Sequence, residues 1–261
     1  MNNPIGIFDS GVGGTSIWKE IHALLPNENT IYLADSKNAP YGYKSEEEII
    51  SLSKKNVEFL LKLGCKLIVV ACNTATTNAI AILRKQYSIP FIGIEPAIKP
   101  AALKTQSKSI GILATKGTLN SRLFSNTSEE FTNKISVIEV IGEGLVPLIE
   151  KGNIDSEKTT TLLKKYLQPM LEANIDHLVL GCSHYPYLIS QIKKILPNEV
   201  AIIDSGEAVA KQTKNVLQVN NLLSNTKEKA SLQFYINSDV KALKQLLKEY
   251  SEDISVIKKG F

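Results

Sequence analysis

Cysteine is scarce in this chain, with three in 261 residues. The odd count, without CxxC spacing or a His/Cys cluster, argues against a disulfide framework and against a structural zinc site. Long apolar runs are missing: none approaches the roughly 20 residues needed to cross a bilayer. The opening MNNPIGIFDSG has no basic segment followed by an apolar one, so no signal peptide is expected. An excess of one charge is also missing, with 30 basic against 26 acidic side chains and a formal charge of +4. The Lys-rich stretches at 190–215 and 241–259 carry apolar residues at helical spacing and read as solvated helix faces. Aromatic and basic residues do not interleave as on a base-stacking platform. Neither nucleic acid nor a membrane is an expected partner, and a cytoplasmic protein is expected.

What remains is 43% hydrophobic, enough for one large or two modest domains. Short apolar runs at 5–8, 30–34, 67–71 and 91–94 alternate with amphipathic stretches at 15–25, 45–63 and 74–86. That order predicts a mainly parallel sheet with helices on both faces. The pattern restarts. Strands are predicted at 109–113, 136–140, 178–180 and 201–203, and helices at 119–131, 156–172, 187–196 and 206–216. A polar connection at 219–230 leads to one more strand, 232–236, and a helix, 240–250. The segment IGIFDSGVGGTS from Ile5 is similar to IGILATKGTLNS from Ile110, and LIVVACNT is matched by HLVLGCSH. Two domains of one plan are expected.

The second of those matches carries the chemistry. Cys72 and Cys182 each end an apolar run and are followed at once by small polar residues. A strand's carboxyl end opens onto the ligand crevice of a parallel α/β fold. Both thiols are therefore expected where substrate binds, one from each half, suited to moving a proton between the two faces of a carbon. Asn73 and Thr74 follow Cys72, and the helix start there should hold a substrate carboxylate and lower the thiol pKa. Ser183 and His184 follow Cys182, and in a loop the imidazole can converge on the thiol. A Cys/His pair also suits a hydrolase nucleophile, but a hydrolase leaves the second thiol unexplained. Cys65, in KLGCKL, reads as core, His22 as surface, and His177 carries no local motif.

Asp9 and Ser10 end the first strand, with Gly11, Gly13 and Gly14 shaping a turn. GVGGTS lacks G-x-G-x-x-G spacing, so a small anion held by backbone N–H groups and Ser10 is a better expectation than a dinucleotide. Asp9 falls close to Cys72 if their strands are neighbours.

Together with FDSGVGG at 8–14, ACNTA at 71–75 and GCSHYP at 181–186, the chain carries ADSKNAPYG at 34–42, GIEPA at 93–97, ATKGT at 114–118 and VPLIE at 146–150. In this order the motifs resemble the cofactor-independent aspartate/glutamate racemase family over nearly the whole chain. The resemblance implies two α/β domains, 1–96 completed by 208–261 and 97–207, with the active site in the cleft between them. It implies that Cys72 takes the α-proton of D-glutamate with help from Asp9. Cys182 would take that of L-glutamate with help from His184, and Glu150 would lie near this second base. Ser10, Pro40, Tyr41, Gly42, Asn73, Thr74, Thr115, Thr118 and Ser183 match the substrate pocket. No cofactor and no metal are implied. A homodimer, a bacterial host and supply of D-glutamate for peptidoglycan are. Aspartate or another amino acid as substrate, or an amino-acid-binding protein without chemistry, are the alternatives. Ser183 replaces a common threonine, Tyr187 a common leucine and Ala97 a common glycine.

Overall fold

In the computed structural model, which describes residues 2–132, 135–226 and 228–261, the chain builds two sheets with every strand pairing parallel. The first half runs β1 (Ile5–Asp9), α1 (Thr15–Leu24), β2 (Thr30–Ala34), α2 (Glu46–Lys62), β3 (Leu67–Val70), α3 (Asn73–Gln86) and β4 (Phe91–Gly93). The second runs α4 (Ile98–Lys104), β5 (Ser109–Ala114), α5 (Lys116–Leu119), α6 (Arg122–Thr132), β6 (Ser136–Ile141) and α7 (Leu145–Glu150). It continues through α8 (Glu157–Glu172), β7 (His177–Gly181), α9 (Ile189–Ile192) and β8 (Ala201–Ile203). The chain closes with α10 (Gly206–Val219), β9 (Leu232–Ile236), α11 (Lys241–Leu246) and β10 (Ile254–Lys258).

Strand order in the larger sheet is β10-β9-β2-β1-β3-β4, and in the smaller β6-β5-β7-β8. The sequence repeat is therefore a topological one: β2-β1-β3-β4 and β6-β5-β7-β8 are the same arrangement. In each, the strand opening the half is central and pairs with the strand that delivers a cysteine. The last strands return to the first sheet, β9 pairing with β2.

β1 to β3 are buried throughout, and successive residues enter opposite sides of the sheet as the two-residue period of a strand requires. Ile5, Ile7, Tyr32, Leu67 and Val69 enter one core with Trp18 and Ile21 of α1, while Phe8, Leu33, Ile68 and Val70 enter another with Ile49, Val57 and Leu60 of α2. Ser45 caps α2 in a reciprocal capping box with Glu48, which fixes where that helix starts. At the ends where strands begin, Lys66 Nζ lies 2.6 Å from Glu28 Oε2, the two side chains 4% and 3% exposed. Glu28 Oε1 also accepts the Ser224 N–H at 2.7 Å. This ion pair joins the approaches to β2, β3 and β9.

Several predicted elements differ. The helix expected over 119–131 starts later, as α6 at Arg122, where Ser121 opens it, and a separate short α5 capped by Thr115 precedes it. The one expected over 187–196 begins as a 3-10 turn, Tyr185–Leu188, and only Ile189–Ile192 is α-helical. The last helix stops at Leu246, ahead of a 3-10 turn, and β10 follows it. The segments forming α4 and α7 were not assigned from sequence. His22 is half-buried and stacked on Trp18 with centroids 5.0 Å apart, because the α1 face it shares packs against Tyr250. No helix among the described residues is long and apolar enough to cross a membrane.

Candidate active site

β1 and β3 are neighbours, so Ser10 and Cys72 leave the sheet side by side. Cys72 is the N-cap of α3, accepting the Ala75 N–H at 3.5 Å, and its thiol donates to Ser10 Oγ at 3.6 Å. Cys182 leaves β7 in the same manner. Both thiols line one narrow cleft, walled by Ser10, Pro40, Tyr41, Gly42, Asn73, Thr74, Thr115, Val146, Ser183 and His184. Both polar atoms of the buried Asn73 amide lack a partner. Such atoms are costly unless a ligand or water satisfies them. Thr118 stands behind the wall, bonded to Thr74 at 3.3 Å and Thr115 at 3.0 Å. It supports those hydroxyls across the cleft. Val146 was missed from sequence, although its VPLIE motif is present.

Behind Cys182 lies a chain of charge. His184 Nδ1 is 3.9 Å from Cys182 Sγ, and Nε2 is 2.6 Å from Glu150 Oε1. Glu150 also accepts the Val12 N–H at 2.6 Å and the Ser36 hydroxyl at 2.7 Å. Burial opposes a charge on His184, but the bonds to Cys182 and Glu150 and the nearby Asp9 outweigh it and hold the imidazole well above its usual range. Burial likewise pushes Glu150 up, while His184, Ser36 and Val12 pull it further down. Both directions favour the charged pair over the neutral one.

Asp9 lies among these groups. Its Oδ2 accepts the N–H groups of Gly11 and Gly14 at 3.1 and 3.0 Å, and Oδ1 accepts the Ser183 hydroxyl at 3.0 Å. Burial raises its pKa against the opposing pull of His184. The expectation that the loop N–H groups bind an outside anion is overturned, since Gly11, Gly14 and Val12 already serve the protein's own carboxylates. The expectation of a lowered Cys72 pKa is overturned as well. Burial pushes that thiol up, Asp9 pushes it further, and the Ala75 N–H and Ser10 only partly offset them.

The glycines of the loop are there for proximity. None of Gly11, Gly13 and Gly14 has a positive φ. A Cβ on Gly13 would fall 2.1 Å from His184 Nδ1, and one on Gly11 2.0 Å from Glu150 Oε1. Gly13→Ala suits the backbone but must displace an imidazole that is 1% exposed. A misplacement of about 1 Å costs on the order of 10²-fold in rate. That loss is expected in kcat/KM, with a thermal midpoint near wild type. Unchanged turnover would mean that the ring yields freely.

The loop that brings Pro40, Tyr41 and Gly42 to the cleft is held from elsewhere. Asp35 accepts hydrogen bonds from Tyr41, from Asn38 at 2.8 Å and from Asn237 of the C-terminal segment, and Asn56 donates to Tyr41 Oη at 3.2 Å. Asn237 also accepts the Lys37 N–H at 2.8 Å. Local sequence gave no sign of this reach, because Asn237 lies 202 residues from Asp35. Among the described residues, no cluster of three or more His, Cys, Asp and Glu could hold a metal ion.

Two sheets of one plan, each delivering a thiol from an interior strand to a shared cleft, define a class, and known proteins of that class resemble this chain. A family model described as Asp/Glu/Hydantoin racemase matches residues 5–213, and the chain belongs to that family. It is 45% identical to a glutamate racemase of Pseudomonas putida over 245 residues, 94% of this chain and 92% of the relative. The structure is similar to that of Escherichia coli glutamate racemase in complex with L-glutamate and the activator UDP-MurNAc-Ala, with TM-score 0.87, 32% identity and 98% of each chain covered. It is also similar to Francisella tularensis glutamate racemase in complex with D-glutamate, with TM-score 0.83 and 30% identity, covering 98% of this chain and 97% of the other.

Proposed function

We propose that this protein interconverts L- and D-glutamate by proton transfer between Cys72 and Cys182, without a cofactor. The observation that carries the mechanism is one cleft lined by both thiols, which come from the corresponding strands of two sheets of the same plan. Glutamate is the substrate favoured by the racemases this chain is similar to, bound in their structures as either enantiomer.

In the L-to-D direction, the Cys182 thiolate removes the α-proton and becomes a thiol. The electron pair left on the α-carbon spreads into the carboxylate. The Cys72 thiol then delivers its proton to the opposite face and is left as the thiolate. The reverse direction runs the same steps backwards. His184, held by Glu150, lies with Nδ1 3.9 Å from Cys182 Sγ, where it can offset charge that develops on the sulfur as the proton moves. Cys72, buried beside Asp9, stays a thiol until a substrate ammonium enters and offsets the cost of its charge. The Asn73 amide and the hydroxyls of Ser10, Thr74, Thr115 and Ser183 would bind the amino acid, with the backbone around Pro40, Tyr41 and Gly42. Oriented donors of this kind are worth about 3 to 4 kcal/mol each where charge develops. The division into 1–96 with 208–261 and 97–207 belongs to this reading, with the second boundary shifted to the start of α10 at Gly206, since α10 packs on α1. The same reading has the enzyme working in the cytoplasm as a homodimer and supplying D-glutamate for peptidoglycan.

Incubation with L-glutamate and, separately, L-aspartate in D2O tests it, following optical inversion and α-deuterium uptake together without added cofactor. Both signals are expected with glutamate. Both with aspartate alone would keep the mechanism and move the substrate. Neither, from folded protein with reduced thiols, would defeat the proposal.

A further inference from the structure

The first turn of α1 faces the second sheet. Thr15 is fully buried, and its hydroxyl donates to Val12 O at 2.6 Å. The same Oγ1 lies 2.6 Å from Tyr187 Oη. With the Thr15 proton committed to Val12, the Tyr187 hydroxyl is the donor. On its other side the Val12 residue gives its N–H to Glu150 Oε1, which also holds His184 Nε2, each at 2.6 Å. A continuous line of short bonds thus runs from Tyr187 to the imidazole beside Cys182. The Tyr187 ring is fixed as well, with Lys19 Nζ 5.7 Å from its centroid and 5.7 Å from that of Tyr250. Ser16, next in α1, donates its hydroxyl to Ser183 O at 2.8 Å. Thr15 and Ser16 thus both reach across to the Cys182 side.

We propose that Tyr187 is a positioning residue for proton transfer at Cys182, its hydroxyl fixing the Glu150–His184 pair through Thr15 and Val12. The proposal rests on the function given above.

The test compares wild type with Tyr187→Phe, Thr15→Val, their double variant and Thr15→Ser, using L- and D-glutamate deuterated at the α-carbon. Losing one such bond changes a rate by about three- to tenfold. For Tyr187→Phe that loss is expected in kcat/KM, equally in both directions because racemisation has an equilibrium constant of one. The diagnostic is directional. The primary isotope effect should rise for L-glutamate, whose proton Cys182 removes, and not for D-glutamate. The double variant should be no slower than Thr15→Val alone, and Thr15→Ser, keeping the hydroxyl, should retain both isotope effects. Wild-type kinetics in Tyr187→Phe, equal isotope changes for the two enantiomers, or losses that multiply in the double variant would each overturn the proposal. So would Tyr187→Leu being impaired while Tyr187→Phe is not, because the ring would then carry the effect. A wild type inert towards glutamate defeats the underlying function, and the role of Tyr187 with it; an active wild type with an unaffected Tyr187→Phe defeats the role alone.

Discussion

Cys182→Ala and Cys72→Ala are each expected to abolish inversion of both enantiomers. Removing one positioned acid–base group costs on the order of 10² to 10⁴ in rate. Here the loss should reach at least the upper end, because no second group in the cleft replaces the missing thiol on its own face. The loss must also be symmetrical. The two enantiomers have equal free energy in water, so kcat/KM is the same in both directions for any variant. A protein that turned L into D at full speed and failed on D would violate that equality. Exchange with retention is a separate matter, since the remaining thiol still faces one enantiomer and uptake of solvent deuterium by that enantiomer is allowed. Polarimetry on both pure enantiomers, with circular dichroism to show an intact fold, makes the check. Unhindered inversion by either variant would end the two-thiol mechanism.

Lys66→Met is expected to produce the largest loss of stability, and to leave the chemistry alone. Glu28 and Lys66 are almost completely buried against each other at the end of the sheet away from the cleft. Breaking such a pair from one side leaves an uncompensated charge and costs about 3 to 5 kcal/mol. For a chain of this size that corresponds to a fall of roughly 10 °C in the thermal midpoint. Glu28→Gln in the Lys66→Met background removes the stranded charge and keeps an acceptor for the Ser224 N–H, so part of the loss should return. A Lys66→Met midpoint within about 2 °C of wild type would show that the pair is solvated in solution.

Much of the site was legible because its parts are local. Cys72 and Cys182 sit at strand ends, and a strand followed by a helix is written in consecutive residues. The repeat implied two halves of one plan, while the pairing of β1 with β3 and of β5 with β7 is set by the assembled sheets. The electrostatics were not legible. A helix start favours a thiolate, and that inference holds as far as it goes, since the Ala75 N–H does bond Cys72. Burial and Asp9 outweigh it, and burial is a property of the assembled cleft. The glycines show the same limit. From sequence they form a turn; in the structure they make room for Glu150 and His184, which arrive from 139 and 171 residues away along the chain. Strand β10 was missed because the helix pattern before it was extended to Tyr250, leaving ISVIK as a short apolar tail. Its burial is only partial, as befits an edge strand, so its residues alternate weakly.

The return of β9 to the first sheet also sets an order of events at the ribosome. Strand β2 forms a central part of that sheet only when residues 232–236 have joined its free side. Until then, β2 carries an open edge of unpaired N–H and C=O groups, the kind of edge that recruits other chains. The smaller sheet uses residues 109–203 alone and can close earlier. The nascent protein can therefore spend the synthesis of its last fifth with one half finished and the other waiting, and the thiol delivered first, Cys72, is housed in the half that matures last.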